Sequence, residues 1–144
     1  MIESFQFYIN ENLVKKVTPS KENATALMER AYARLEYIRE QKVNKATAIF
    51  IFEDVYETLR EASQALMEIK GYKPYSHEAH IAFLKEFYKF PKPLLASFDR
   101  FRILRNKCLY GAAQISVETC KEAMGFLASF LPELKKEFDK EMIK

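Results

Sequence analysis

Residues 98–111, FDRFRILRNKCLYG, form the stretch that decides the fold. On a helix, at about 100° of rotation per residue, Arg105 falls on the apolar side of this stretch. Arg102, Asn106 and Tyr110 follow one another every four residues along the edge of that side. The apolar side itself consists of Leu94, Phe98, Phe101, Leu104, Cys108 and Ala112. The pattern predicts an amphipathic helix that carries a cation among its buried residues.

The inward position of Arg105 has an energetic consequence. A guanidinium group does not lose its charge in a protein. An unpaired charge in an apolar interior is very unfavourable. We therefore expect a carboxylate, a cleft shared with another subunit, or an anionic ligand beside Arg105.

Length and composition predict the fold class. The chain has 144 residues, enough for one domain with a sizeable core. It contains only 3 Gly and 5 Pro, and most of the prolines lie between periodic segments, which favours long helices over strands. We predict an all-α fold, an up-and-down helical bundle of four to six helices, in a single domain spanning residues 1–144.

Several classes of protein are not indicated. No apolar run approaches the ~18 residues that a membrane span requires, and the N-terminus lacks the pattern of a signal peptide. Cys108 and Cys120 have no metal-ligand spacing, which favours buried thiols in a reducing cytoplasm, with no metal and no cofactor. The net charge of +3 is too small to attract nucleic acid by itself, so RNA binding would need a local cluster.

Hydrophobic periodicity divides the chain into six predicted helices. Pro91 and Pro93 separate the fourth from the fifth, and Pro132 is expected to kink or divide the sixth. The predicted spans are about 2–17, 20–41, 45–70, 77–90, a fifth from Pro93 to Gly111, and a sixth from Ser116 onward.

The third predicted helix carries a second group of charges on a mostly apolar face. Glu53 and Arg60 lie on the same line as Tyr56. The simplest interpretation joins the two helices: Glu53 or Glu57 accepts hydrogen bonds from Arg102 or Arg105. We therefore predict Arg102, Glu53 and Glu57 as binding residues. The preceding residues 48–52, AIFIF, are expected to be central in the bundle or covered by a second subunit.

Residues 104–111, LRNKCLYG, resemble the signature helix of HEPN domains, whose usual motif is Arg, a polar residue, a few more residues and then His. Arg105 matches the arginine, Asn106 matches the polar residue, and Tyr110 stands in place of the histidine. Residues 56–84 resemble the helix and loop that precede this motif in prokaryotic members. The resemblance spans residues 45–130.

The resemblance implies a bundle of four or five helices, commonly a homodimer in which the motif helices of both subunits meet at a cleft. Active members are metal-independent ribonucleases, often toxins encoded beside a minimal nucleotidyltransferase antitoxin. In such chemistry histidine moves a proton, arginine holds the phosphate, and the asparagine orients the attacking group.

Tyr110 changes the expected chemistry, because a tyrosine of unperturbed pKa near 10 is a poor base at neutral pH. We favour a HEPN-like protein that binds nucleotide or RNA phosphate, or pairs with a nucleotidyltransferase, and is catalytically degenerate. The alternative is an active ribonuclease toxin with Arg105, Asn106 and Tyr110 at its catalytic site. A third interpretation makes Arg105 an internal brace only.

The start of the fourth helix and the loop before it each allow two interpretations. His77 and His80 lie at the start of the fourth helix, where histidines are more often simply exposed. Tyr72 and Tyr75, with Lys70 and Lys73, form an aromatic and basic loop. That loop could touch a nucleotide, although a plain surface turn is the simpler interpretation.

Overall fold

A computed structural model describes residues 1–111 and 113–144. The elements in chain order are α1 (Phe5–Asn10), β1 (Val14–Lys16), α2 (Lys21–Arg39), α3 (Ala48–Lys70), β2 (Tyr72–Pro74), α4 (His77–Phe87), α5 (Lys92–Leu109) and α6 (Val117–Met142). The predicted all-α helical bundle is confirmed. Ala112, which the apolar pattern of the fifth helix included, lies outside the described residues.

Helix α3 is the central element of the bundle. It packs against α2, α4, α5 and α6 and also contacts β2. Most of its circumference is therefore buried, for example at Phe52, Ala62 and Ala65, while Glu53, Glu57, Arg60 and Gln64 form one half-buried stripe. Phe50 departs from this pattern, because it is 65% exposed near the start of the helix. The run AIFIF is thus central in the bundle, with one aromatic side chain left at the surface.

The first predicted helix is shorter than its apolar spacing suggested. Helix α1 ends at Asn10, and the backbone then turns through Asn12, which has a positive φ of 60°. Asparagine adopts this left-handed conformation more readily than most residues. The chain continues as β1, which pairs antiparallel with β2 so that Lys15 lies opposite Lys73. The prediction of a helix over residues 2–17 is wrong because strand pairing replaces its second half.

Serine caps and prolines define the boundaries of the later helices. The hydroxyl of Ser76 accepts a hydrogen bond from the backbone N–H of Glu78, and Ser116 caps α6 in the same way. Helix α6 runs through Pro132 as a single element, so this proline does not divide it. Phe138, near the end of α6, docks into the core.

The buried side of α5 differs from the predicted one. Phe98 and Phe101 are buried as expected, but Leu95 is buried while Leu94 is only half-buried. The buried arginine is Arg102, which is 8% exposed. Arg105 is half-buried at the margin of the core. The prediction that placed Arg105 inside the buried face and Arg102 at its edge is therefore wrong in this detail.

Membrane association through a spanning helix finds no support in residues 1–111 and 113–144. None of the helices there combines the length and the apolarity that crossing a bilayer requires.

Candidate functional site

Charged and aromatic side chains converge where the middle of α3 faces the start of α4 and the second half of α5. We call this group the Arg–His cluster. Its members are Tyr56, Glu57 and Arg60 of α3, His77 and Glu78 of α4, and Asp99, Arg102 and Arg105 of α5.

Tyr56 and His77 form the aromatic centre of the cluster. The hydroxyl oxygen of Tyr56 and Nδ1 of His77 share a hydrogen bond of 2.8 Å. The two rings are stacked, with centroids 5.6 Å apart and an angle of 4° between their planes. Tyr56 is 1% exposed, and burial raises the pKa of its hydroxyl well above the usual value. Tyr56 therefore acts as a neutral hydrogen-bonding group.

Arg105 lies over the Tyr56 ring of this pair. Its guanidinium carbon is 5.4 Å from the centroid of the Tyr56 ring, within the range of a cation–π contact. Within the part of the chain that the structure describes, Arg105 forms no ion pair with a carboxylate. The other two arginines of the Arg–His cluster, Arg60 and Arg102, do form ion pairs. The N–H donors of Arg105 are therefore available to a ligand.

The predicted partner Glu57 is engaged elsewhere. Nε of Arg60 donates to Oε2 of Glu57 at 3.0 Å, and Nη2 of the same arginine contacts Oε1. This hydrogen bonding with Arg60 lowers the pKa of Glu57, against the opposing effect of burial. Glu57 and Arg60 are one turn apart on α3, so the carboxylate of Glu57 finds its hydrogen-bond donors within the same helix.

Arg102 also takes partners other than the predicted ones. Its Nε donates to Oδ1 of Asp99 at 2.7 Å, and its Nη1 lies 3.7 Å from Oε1 of Glu78. The expectation that Glu53 or Glu57 would accept from Arg102 or Arg105 is therefore wrong. Asp99 stands three residues before Arg102 on the same helix, and Glu78 is supplied by the first turn of α4.

Glu53 lies outside this set of contacts. It is half-buried and, among the described residues, makes no side-chain hydrogen bond and no ion pair. Its charge adds to burial in raising the pKa of the Cys108 thiol near the end of α5.

His77 has the electrostatic surroundings of a neutral base. Its side chain is half-buried, and burial lowers the pKa of the imidazole. The positive charges of Arg105 and Arg60 lower that pKa further. At neutral pH the ring is uncharged and can accept a proton. The expectation that His77 is exposed is wrong, because the capping of α4 by Ser76 turns this side chain onto Tyr56.

His80 is buried more deeply, so the same expectation fails for it. It is 3% exposed, and burial lowers the pKa of its ring to about 3. Its Nδ1 lies 3.2 Å from the carbonyl oxygen of Ser76, and its ring centroid is 6.0 Å from that of His77. Because a carbonyl only accepts, Nδ1 carries the proton. Nε2 is buried without a hydrogen-bond partner in the described residues.

Asn106 and Tyr110 do not belong to the Arg–His cluster. Asn106 is half-buried, and Tyr110 is 87% exposed at the C-cap of α5. Neither side chain makes a hydrogen bond to the residues that the structure describes. Of the three predicted catalytic residues, only Arg105 contacts the cluster within this chain.

Sequence reasoning missed the parts that Tyr56 and His77 play. Its spacing places Tyr56 on the polar line of α3 and indicates nothing more. The useful signal for His77 was the Ser76 cap, which fixes the start of α4 and hence the direction of the first side chain. The pairing of the two cannot be found from spacing, because they are 21 positions apart in the chain and a strand lies between them.

The arrangement suits an anion. Arg60 and Arg102 form ion pairs with carboxylates, whereas Arg105 forms none among the described residues and lies over Tyr56, whose ring also stacks on the neutral imidazole of His77. No group of three or more possible metal-ligating side chains occurs in the described ranges, 1–111 and 113–144. Comparison of the chain with protein-family models, with curated proteins and with solved structures finds no match.

Proposed function

We propose that this protein binds the phosphate group of a nucleotide or of RNA at the Arg–His cluster. The observation that carries the proposal is the state of Arg105, which is half-buried, lies over the Tyr56 ring and forms no ion pair among the described residues. A guanidinium matches phosphate oxygens with two parallel hydrogen bonds, and those bonds strengthen in a partly desolvated site.

The neighbouring groups favour a phosphate over a simple carboxylate side chain as the ligand. Nε2 of His77 adds a second donor when it is protonated, and the charge of Arg105 lowers the pKa of this imidazole. A bound dianion would offset that depression, so ligand binding and protonation of His77 favour each other.

The wider assignment rests on the resemblance of residues 104–111 to the HEPN signature helix. We propose a cytoplasmic homodimer in which the α5 helices of two subunits meet, with a nucleotidyltransferase as a further partner. Exposed apolar side chains near the end of α5 support a protein contact there, since Ile103 is 41% exposed and Leu109 is 53% exposed. Such a contact would also cover Tyr110, which would then belong to a site formed by both subunits.

The second candidate is a metal-independent ribonuclease, and the neutral imidazole of His77 favours it. In this reaction a base takes the proton of the ribose 2′-hydroxyl while its oxygen attacks the phosphorus. A cyclic 2′,3′-phosphate forms as the P–O5′ bond breaks, and water supplies a proton to the leaving 5′-oxygen. His77 would serve as that base in place of Tyr110, and Arg105 would stabilise the charge that develops on the phosphate. The hydrogen bond to Tyr56 would hold the imidazole in one orientation.

Calorimetric titration with adenosine monophosphate tests the binding proposal. Charge-assisted hydrogen bonds contribute about 1.5–3 kcal/mol each, so Arg105→Ala should weaken binding by roughly ten- to hundredfold. Lys107→Ala is the matched control, because it removes one charge from an exposed position on the same helix. Equal affinities of the wild type, Arg105→Ala and Lys107→Ala, or no binding by the wild type, would overturn the proposal.

Incubation with labelled RNA in the presence of EDTA tests the ribonuclease candidate. The wild type should then cleave the RNA without a metal, and His77→Asn should abolish cleavage while leaving the protein folded. Cleavage by His77→Asn at the wild-type rate would exclude His77 as the base. Intact RNA with wild-type protein would leave phosphate binding alone as the function.

A further inference from the structure

The antiparallel ribbon formed by β1 and β2 carries three exposed lysines, two of which approach an exposed tyrosine. Lys15 and Lys16 are exposed on β1, and Lys73 is exposed on β2. Tyr75, directly after β2, is 52% exposed. We call these four residues the Lys–Tyr ribbon.

The register of the strands brings like charges together. Lys15 lies directly opposite Lys73 in the ladder. Both ammonium groups approach the same ring, with Nζ of Lys15 5.4 Å and Nζ of Lys73 5.6 Å from the Tyr75 centroid. Like charges opposite each other destabilise a strand pair. No carboxylate in residues 1–111 or 113–144 forms an ion pair with these lysines, so the positive charge remains available to an external anion.

The backbone holds this aromatic ring at a defined place. The N–H of Tyr75 donates to the carbonyl of Leu13 at 2.8 Å, which extends the strand pairing beyond β2. Tyr72, at the other end of β2, packs inward against Phe5 at a centroid distance of 5.1 Å. Lys70 is likewise withdrawn, since it pairs with Glu141 at 3.2 Å. One side of the ribbon therefore exposes the Tyr75 ring with two ammonium groups beside it, while Lys16 points to the other side, where its Nζ is 6.0 Å from the Tyr72 centroid.

The ribbon leads directly into the Arg–His cluster. Only Ser76 separates Tyr75 from His77, so their backbones are at most about 7 Å apart. A ligand whose phosphate sits at Arg105 can reach the ribbon only if it extends beyond that phosphate. A mononucleotide has no second phosphate to offer, whereas a strand offers a phosphate and a base at every step.

We infer that the Lys–Tyr ribbon binds single-stranded RNA, with an unpaired base stacked on Tyr75 and adjacent phosphates held by Lys15 and Lys73. This inference rests on the proposed phosphate site and names its ligand as a strand rather than a free nucleotide. Cationic grooves with exposed aromatic rings are the general means of binding single strands, because every base has a face that can stack. A duplex hides its base faces and could engage only the lysines. An anionic membrane would engage mainly the lysines, because the Lys–Tyr ribbon contains no aliphatic residue and Val17, directly after β1, is 38% exposed.

Fluorescence anisotropy with a labelled 12-nucleotide single-stranded RNA of mixed sequence tests the inference on the full chain. Each phosphate contact of a single strand contributes about 0.7 to the slope of log affinity against log salt, so Lys15→Ala/Lys73→Ala should reduce that slope by about 1.4. Tyr75→Ala should weaken binding at least about fivefold, and Tyr75→Phe should restore it. Lys121→Ala/Lys136→Ala is the matched control, because both lysines are exposed on α6 and neither forms an ion pair with a described residue.

The outcomes separate the two proposals. If the ribbon variants lose RNA affinity but keep wild-type affinity for adenosine monophosphate, the inference is supported. If they bind RNA as the wild type does while Arg105→Ala does not, the ribbon inference is wrong and the phosphate site stands. If Arg105→Ala binds adenosine monophosphate normally, the phosphate site fails independently of the ribbon. Equal binding of duplex and single-stranded RNA, or binding to phosphatidylserine vesicles without RNA binding, would also overturn the inference.

Discussion

Gly71 joins α3 to β2, and replacing it with alanine should destabilise the protein in two separable ways. Its φ is +81°, a left-handed conformation that costs an L-residue about 1–2 kcal/mol. An added Cβ would also lie 2.6 Å from the carbonyl oxygen of Val17 and 2.9 Å from Cγ of Pro19. The nearer contact is with backbone, and Val17 is itself tied to Gly71 by a hydrogen bond of 2.8 Å from its N–H to the Gly71 carbonyl.

The second cost is overpacking, which typically adds about 1–3 kcal/mol. We therefore expect Gly71→Ala to lower the free energy of unfolding by about 2–5 kcal/mol. For a chain of this size the melting temperature should fall by roughly 5–15 °C. Urea unfolding followed by circular dichroism measures the change, provided that the slope with denaturant stays constant.

The other two glycines provide the controls. Gly111 has a φ of +72° but nothing within 4 Å of an added Cβ, so Gly111→Ala should show the conformational cost alone. Gly125 lies within α6 with open space around it, so Gly125→Ala should stabilise the protein by about 0.5–1 kcal/mol. If Gly71→Ala were no more destabilising than Gly111→Ala, the close approach of Val17 to α3 would be refuted.

Two further predictions concern the buried groups of α3 and α4. The folded pKa of His80 is about 3, below its unfolded value of 6.5, so its contribution to stability is complete above pH 6.5 and is lost as the pH falls toward 3. Urea unfolding between pH 7 and pH 5 measures this loss, which should reach up to about 1.4 kcal/mol per pH unit below 6.5 in the wild type. The free energy of unfolding of His80→Gln should fall less steeply with pH. Parallel profiles of the two proteins would contradict this. Tyr56→Phe removes the hydrogen bond to His77 while keeping the ring, and should lower the free energy of unfolding by about 1 kcal/mol, whereas an unchanged unfolding midpoint would mean that the bond contributes nothing.

The helices were predictable because their signals are local. Ser76, Ser116 and Gly71 mark boundaries that the structure reproduces within a residue or two. The second half of the first predicted helix failed because β1 exists only by pairing with β2, which lies 56 to 60 residues further along the chain. A pairing partner at that separation leaves no trace in the periodicity of the segment itself.

The candidate site was predictable only in part. The periodicity of α5 identified an arginine in conflict with an apolar face, and the structure shows such a conflict at Arg102, one turn from the expected residue. The rotation of a helix about its axis depends on how its neighbours pack, so spacing alone cannot fix which of two arginines is buried. The start of α4 supplies Glu78 to Arg102, and it supplies His77 to Tyr56, over whose ring Arg105 lies.

The most direct test of the central claim uses the imidazole signals of the protein in NMR. The chain has only 2 histidines, so His77 and His80 can be assigned by substituting one of them. If a phosphate binds between Arg105 and His77, saturating adenosine monophosphate should raise the pKa of His77 in the wild type and not in Arg105→Ala, while His80 stays unchanged. A pKa of His77 that does not change with the nucleotide, or that changes equally in the wild type and in Arg105→Ala, would contradict the account.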